Sequence, residues 1–177
     1  MNAHNNRKAF QIMAKESSFD IVSIVDIQEA DNAFQQTKKE LQSRYDLKDT
    51  KSSIDFDKAA KTITVHAPSD FVIGQIIDIL SSKWVKRGLD LAAISWNDTR
   101  DSAQGTSLKE GKVVEGIDKD IASKINKDIK AEKFKAKVQI EGDKLRVSSA
   151  SRDVLQEIIA FVKQQNYGIP LQFNNYR

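Results

Sequence analysis

The chain has 177 residues and a net charge of +3, and 40% of its residues are hydrophobic, enough to bury a core in one domain or two small ones. It contains no cysteine, which excludes a disulfide scaffold or a thiolate site, and it has no apolar run of membrane-spanning length and no signal-peptide pattern at its start. The mild charge allows an anionic partner without requiring one. We therefore expect a soluble, cytoplasmic protein.

The first 16 residues are polar and have no hydrophobic period, so we expect a mobile arm that contributes little to stability. The pattern changes near Ser18, where apolar residues point to both faces of a strand. These residues are Phe19, Ile21, Val22, Ile24 and Val25. A strand of this kind is expected at the centre of a sheet, covered on both sides.

The following segment predicts a helix that begins at Asp26, which resembles a capping box together with Glu29. Residues with helical spacing then form a stripe that is expected to pack on the sheet. The stripe consists of Ala30, Ala33, Phe34, Thr37, Leu41 and Tyr45. After a polar loop, two alternating segments on either side of residues 57–61 predict a hairpin.

A strand, a turn and an amphipathic helix occur twice with the same spacing, at residues 62–80 and 144–162. Ser69 in the first copy and Ser151 in the second are placed to cap the helix. The apolar positions of the two helices also match in order: Val72, Ile73, Ile76, Ile77, Ile79 and Leu80, then Val154, Leu155, Ile158, Ile159, Phe161 and Val162. This spacing predicts a duplicated supersecondary unit.

Each half of the chain therefore predicts the order strand, helix, strand, strand, helix, strand. We predict an α+β fold of two tandem ferredoxin-like units, each a four-stranded antiparallel sheet with two helices on one face. The predicted organisation is an arm at residues 1–16, a first unit at 17–98, a linker at 99–107 and a second unit at 108–177. The linker is polar and aperiodic.

No motif indicates catalysis, a cofactor or a metal site. Gly111 and Gly116 have the outer spacing of a phosphate-binding loop, but Ile117 and Asp118 stand where lysine and a hydroxyl residue are needed. The two histidines have no carboxylates at metal-ligand spacing, and most acidic residues alternate with lysines as on a solvated surface. We therefore expect a protein that is not an enzyme.

Cations near loops and helix ends are better candidates for a binding site. One group follows the first helix and a second ends the second helix, where cations also stabilise the helix dipole, so phosphate binding and an ordinary surface role stay open for both. Another arginine begins the last helix, where free amides favour anions. The candidate nucleotide-binding residues are Arg44, Tyr45, Lys48, Lys83, Lys86, Arg87, Arg152, Asn174 and Arg177.

Several short motifs, in this order, resemble those of the bacterial YajQ family. They are Phe19-Asp-Ile-Val-Ser23, Arg44-Tyr-Asp-Leu-Lys48, Lys86-Arg-Gly88, Val138-Gln-Ile-Glu-Gly142, Arg152-Asp153 and Gln172-Phe-Asn-Asn-Tyr-Arg177. The resemblance runs from about Ser17 to the end. It implies two ferredoxin-like domains, leaves open whether they exchange their first strands, and implies a nucleotide-binding role with cyclic di-GMP or RNA as the ligand.

Two functions are therefore compared. The first is a non-catalytic nucleotide sensor that a regulatory protein reads, and the second is an RNA-binding or chaperone-like module. The predicted exposed sheet faces lack the aromatic residues on which RNA bases usually stack, which favours the sensor. In a sensor, Arg44 is expected to pair with a phosphate, while Tyr45 packs through the stripe of the first helix.

Overall fold

The computed structural model describes residues 15–177, so the predicted arm lies outside the described residues except for its last two positions. The helices are α1 (Ile27–Ser43), α2 (Asp70–Lys86), α3 (Lys119–Ala131) and α4 (Arg152–Gln164). The strands are β1 (Ser17–Val22), β2 (Ser53–Asp57), β3 (Thr62–Ala67), β4 (Ile94–Trp96), β5 (Arg100–Asp101), β6 (Ser107–Val113), β7 (Lys137–Glu141), β8 (Lys144–Ser149) and β9 (Gln172–Asn174).

The strands form two antiparallel sheets. The first sheet has the order β2-β3-β6-β4, with β5 pairing to β6, and the second sheet has the order β7-β8-β1-β9. Thus β1, from the first half of the chain, pairs with β8 and β9, while β6, from the second half, pairs with β3 and β4. The predicted α+β fold of two antiparallel sheets is confirmed, and each sheet contains one strand from the other half.

Each sheet packs against its helices around a separate hydrophobic core. In the first core, the Phe34 ring of α1 stacks on Phe56 of β2 with 4.3 Å between ring centroids, and Trp84 of α2 meets Phe34 edge-on. In the second core, Phe19 of β1 is fully buried beside Phe173. The exchanged strand β1 therefore supplies a central side chain to the second core.

The two connections that pass between the sheets lie side by side. The Gly116 N–H donates to the Ser23 carbonyl at 2.7 Å, and the Val25 N–H donates to the Glu115 carboxylate at 2.9 Å. The Lys61 ammonium donates to the same carboxylate. Burial by itself raises the pKa of Glu115, but the hydrogen bonds from Lys61 and Val25 outweigh it and lower this pKa. Glu115 therefore joins the connections as an anion.

The predicted helix starts are confirmed. The side chains of Asp26, Ser69 and Ser151 each accept a backbone N–H in the first turn of α1, α2 and α4, respectively. Gly88 follows the end of α2 with a φ of 75°, a left-handed conformation that glycine adopts without steric cost. These local signals are strong because each depends on residues within one helical turn.

The prediction that Tyr45 packs through the stripe of α1 is wrong. The helix ends at Ser43, and Arg44 takes an extended conformation with a φ of −73° and a ψ of 124°. The chain therefore leaves the helical period before Tyr45, whose side chain is 90% exposed. Leu47 is buried instead.

The segment predicted as a linker contains β5 and a 3-10 turn at Ala103–Gly105, and it forms a hairpin with β6. The last strand of the predicted first unit, β4, has only three residues and follows a 3-10 turn at Leu91–Ala93. No helix among residues 15–177 is long and apolar enough to cross a membrane.

Gly111, part of the apparent phosphate-loop spacing, has a packing role: a Cβ there would lie 2.6 Å from Cε3 of Trp96 and 3.1 Å from the Ser95 carbonyl oxygen. We expect Gly111→Ala to lower the free energy of unfolding by about 1 to 3 kcal/mol, the usual cost of overpacking. Gly74→Ala in α2 is the matched control, because nothing lies within 4 Å of the added methyl group. It should raise the free energy of unfolding by about 0.5 to 1 kcal/mol. Urea unfolding measures both, and equal effects would contradict this role for Gly111.

Candidate functional site

The structure distributes the predicted site residues over several shallow cavities and does not bring them into one site. Arg44, Lys83 and Lys86 line a cavity of about 300 Å³ between α1 and α2. Arg152 and Arg177 line a different cavity of about 320 Å³ beside β1. The remaining predicted residues lie outside these two cavities.

In the cavity between α1 and α2, two of the three predicted cations already have carboxylate partners. Lys83 Nζ lies 2.8 Å from Glu40 Oε2, and Arg44 Nη1 lies 3.8 Å from Glu40 Oε1. Arg44 Nε also donates to Asp46 Oδ1 at 2.8 Å. Asp78 lines the same cavity. A phosphate group bound here would have to compete with these acidic side chains.

Three other predicted residues lie apart from that cavity. Arg87 Nη1 pairs with Glu29 Oε2 at 2.9 Å and so joins the end of α2 to the start of α1. Lys48 Nζ lies 5.9 Å from the centroid of the exposed Tyr45 ring, and Lys48 lines a cavity of about 270 Å³ beside β2. The sequence cluster after α1 is therefore divided, because Arg44 turns toward α2 and Lys48 toward β2.

We call the cavity beside β1 the terminal cavity. It is lined by Ser17, Ser18, Arg152, Leu155, Gln156, Tyr176 and Arg177. Two backbone hydrogen bonds between Ser18 and Arg177, each 3.0 Å long, hold the end of the chain against β1. Three segments that are distant in sequence, namely the start of β1, the first turn of α4 and the end of the chain, therefore form its walls.

The terminal cavity combines cations, an aromatic ring and hydrogen-bonding groups. Arg152 is the first residue of α4, and within residues 15–177 it forms no ion pair. The Tyr176 side chain is 60% exposed. Among the described residues, no aspartate or glutamate lines this cavity. The site can thus offer the Arg152 guanidinium to an anion with no aspartate or glutamate side chain in its walls, and Arg177, whose Nε donates to Asn175 Oδ1 at 3.4 Å, also lines it.

A buried carboxylate network occupies the outer face of the second sheet, and the sequence analysis did not identify it. Asp20 is 2% exposed and accepts hydrogen bonds from Arg146 Nε at 3.0 Å, Lys144 Nζ at 3.0 Å and Asn175 Nδ2 at 2.8 Å. Burial by itself raises the pKa of Asp20, but these hydrogen bonds outweigh it and hold this pKa well below its usual range. Asp20 is therefore ionised.

The network depends on a bulge in the segment that follows β9. Asp20 pairs with Asn174, but Ser18 bonds with Arg177, so one extra residue is inserted on the terminal segment between these pairs. Asn175 has a φ of 55°, which asparagine tolerates better than most residues. Such a bulge redirects a side chain, and here the Asn175 amide turns onto Asp20.

Asn174 does not lie in the terminal cavity with Arg177. It lines a cavity of about 390 Å³ beside Asp20, together with Lys144, Asp143 and Ile24. Ser23 also lines this cavity, and its buried hydroxyl has no hydrogen-bond partner among the described residues. Within residues 15–177, no group of three histidine, aspartate or glutamate side chains is arranged to hold a metal ion.

Comparisons with known proteins agree with the resemblance drawn from the short motifs. The family described as nucleotide-binding protein YajQ-like matches residues 17–177. A relative from Desulfitobacterium hafniense is 44% identical over 165 residues, which cover 93% of this chain and 100% of the relative. One from Koribacter versatilis is 44% identical over 162 residues, covering 92% and 98%, and one from Chloroherpeton thalassium is 39% identical over 165 residues, covering 93% and 100%. All three relatives are named as nucleotide-binding proteins.

Removal of the Asp20 carboxylate should destabilise the fold. Asp20→Ala leaves Arg146 and Lys144 without their partner, and we expect a loss of about 2 to 3 kcal/mol in the free energy of unfolding, the scale for hydrogen bonds to charged groups. Asp55→Ala is the control, because Asp55 is also a strand aspartate paired with a lysine but its side chain is 67% exposed. The control should lose less than about 1 kcal/mol. Similar losses in urea unfolding would contradict a structural role for the network.

The same network should make stability depend on pH. Since the folded pKa of Asp20 is depressed, the folded state binds fewer protons than the unfolded state, so the contribution of Asp20 is present above the unfolded pKa of about 3.9 and is lost as pH falls through the folded pKa. The difference in unfolding free energy between wild type and Asp20→Asn should therefore shrink as pH is lowered below about 4. A difference that stays constant from neutral to acidic pH would show that ionisation of Asp20 is irrelevant.

Proposed function

The chain belongs to the YajQ-like nucleotide-binding protein family, and from this membership we propose that it binds a nucleotide without catalysing a reaction on it. We propose cyclic di-GMP or a related cyclic dinucleotide as the ligand. The names of the relatives support nucleotide binding, since they specify a ligand class and no reaction. In this proposal the protein acts in the cytoplasm as a sensor that a regulatory protein reads.

One observation carries the choice of site: among the described residues, Arg152 has no ion-pair partner, and it lies in a cavity that Arg177 also lines and that no aspartate or glutamate side chain lines. Arg44 was the first choice from the sequence, but it is paired with Asp46 and Glu40. A cation that must first leave a carboxylate gains less from binding a phosphate. We therefore place the nucleotide phosphate in the terminal cavity, at Arg152 and Arg177.

The chemistry of the terminal cavity fits the parts of a nucleotide. A guanidinium can pair with a phosphate through two parallel hydrogen bonds, and amides at the N-terminus of α4 favour the same negative charge. The exposed ring of Tyr176 offers a face on which a base can stack. The cavity volume of about 320 Å³ is at the lower limit for a ligand pocket, so one nucleotide half would fill it and the other would extend along the surface.

Binding in this cavity also suggests how a sensor would respond. Ser17 and Ser18 belong to β1, which continues directly into the connection that crosses to the first sheet. A ligand that orders the start of β1 and the chain end would restrict the motion of both. A regulatory protein would then distinguish the ligand-bound from the free protein by this difference in motion. The ligand can shift the equilibrium between these states only through its different affinity for each.

RNA binding is the second candidate. The sequence analysis expected no exposed aromatic platform, but Tyr45 is 90% exposed and Lys48 lies over its ring. A ring beside a cation suits a stacked base and its phosphate. The outer faces of the sheets offer little further support for RNA binding, because their central positions carry polar residues without aromatic rings, such as Thr64 and Arg146.

Isothermal titration with cyclic di-GMP, GMP, ATP and a short single-stranded RNA tests these proposals. We expect Arg152→Ala to weaken nucleotide binding by about 1 to 3 kcal/mol, the scale of a charge-assisted hydrogen bond, and Arg152→Lys to recover only part of this because lysine lacks the planar fork. Arg44→Ala is the matched control and should bind like wild type.

The possible results distinguish the alternatives. Loss of binding in Arg44→Ala but not in Arg152→Ala would move the site to the cavity between α1 and α2. Binding of RNA alone, lost in Tyr45→Ala and falling steeply with salt, would favour the second candidate, since contacts to many phosphates release counterions. No heat with any of these ligands would refute both.

A further inference from the structure

Strand β7 forms a free edge of the second sheet. Its only strand partner within residues 15–177 is β8, on one side. The pairing runs without a bulge from Lys137 opposite Ser148 to Glu141 opposite Lys144. Natural edge strands are usually protected by proline, a bulge or a charged side chain that points inward. β7 has no proline, no bulge and no inward-pointing charge: its sequence is Lys-Val-Gln-Ile-Glu, its two charged residues stand at its ends, and its inward-pointing residues are apolar.

The backbone groups at this edge point outward at two positions. The hairpin between β7 and β8 has the two-residue turn Gly142-Asp143, so Glu141 and Lys144 form the hydrogen-bonded pair that closes it. Hydrogen-bonded and non-bonded pairs alternate along antiparallel strands. The N–H and C=O groups of Val138 and Ile140 therefore point away from β8.

The side chains of β7 divide between the two faces of the sheet. Val138 and Ile140 lie opposite the buried residues Val147 and Leu145, so they point toward the core. Ile140 nevertheless has 44% of its surface exposed, because the helices do not cover it at the edge. Lys137, Gln139 and Glu141 lie on the other face. The edge thus presents an uncovered apolar side chain beside unpaired backbone groups.

We propose that β7 pairs in antiparallel fashion with β7 of a second copy of this chain, in a register centred on Gln139. In this register Val138 lies opposite the partner's Ile140, and both have outward N–H and C=O groups, so each of the two such pairs exchanges two hydrogen bonds. Lys137 lies opposite the partner's Glu141, and the symmetry repeats each contact. The strand is complementary to itself in charge, apolar side chains and backbone.

The equivalent edge of the first sheet lacks this property. Strand β2 has the sequence Ser-Ile-Asp-Phe-Asp, and the same pairing centred on Asp55 would place two carboxylates directly opposite each other. Like charges in that position are destabilising. Because β2 and β7 occupy the same place in the two halves, the difference lies in the side chains alone. The proposal therefore applies to β7 and not to edge strands of this fold in general.

The expected dimer is a continuous eight-stranded sheet with a two-fold axis at Gln139. Only five residues of each copy take part in the strand pairing, so the buried area is small and the association should be weak and dependent on concentration. The pairing uses the edge of the second sheet farthest from β9.

Sedimentation velocity of the full chain tests the proposal, at concentrations up to on the order of 1 mM so that a weak dimer is still detected. We expect the mass to rise from monomer to dimer. Gln139→Asp should weaken association at least about tenfold, because it places two carboxylates opposite each other at the axis. Gln139→Asn is the control, because it introduces no charge at the axis, and it should change the dimer constant little. A monomer at all concentrations, or a dimer that Gln139→Asp does not weaken, would overturn the proposal.

A charge exchange separates this pairing from any other interface. Lys137→Glu and Glu141→Lys should each dimerise poorly alone, since each places like charges across the axis. An equimolar mixture of the two variants should associate again, because every pair across the edge is then of opposite sign. Amide hydrogen exchange supplies a site-specific readout: Val138 and Ile140 should become protected as concentration rises, while Gln139, already bonded to β8, should not change. Failure of the mixture to associate would refute the register.

Discussion

The side-by-side passage of the two connections between the sheets is the constraint on which the rest of the structure depends. Because β1 and β6 each belong to the sheet of the other half, the chain must cross between the sheets twice, and the crossings meet at Glu115. Its carboxylate satisfies the Val25 N–H and pairs with Lys61, two groups from the first half of the chain. A buried backbone donor at such a crossing would otherwise have no partner, which is costly.

The exchange also explains why a charged residue is buried in a strand of mostly apolar residues. Asp20 would have no basic neighbours in the first sheet, where β3 presents Thr62 and Thr64 on its outer face. In the second sheet it lies opposite Arg146 and within 3.0 Å of Lys144 Nζ. The ion pairs of Asp20 can therefore form when β1 lies in the second sheet but not when it lies in the first. A buried ion pair often adds little net stability although removal of one partner is costly, and we infer that this network serves mainly to fix the position of β1.

The sequence was sufficient where the determining residues are close together. The strands β3 and β8 and the caps at Asp26, Ser69 and Ser151 were all predicted correctly. The partners of β1 were not predicted, because a strand that is apolar on both faces fits the centre of either sheet. The position of the candidate site was not predicted for a related reason. Arg44, Lys48 and Arg87 lie at or near helix ends, but the directions of their side chains depend on where α1 stops. They also depend on the carboxylates of Asp46 and Glu29, with which Arg44 and Arg87 pair.

The second sheet combines the two surfaces to which we assign binding, and its strand order keeps them apart. The terminal cavity lies at β1, the chain end and α4, whereas the self-complementary edge is β7, with β8 between it and β1. A nucleotide at Arg152 and a second copy at Gln139 would therefore not compete for the same surface. Any coupling between them would have to pass through β8, whose Arg146 bonds Asp20 on one side and pairs with Gln139 on the other. Lys144 stands in the same relation, since its side chain also bonds Asp20 and it pairs with Glu141 of β7, so both basic residues of β8 link the exchanged strand to β7.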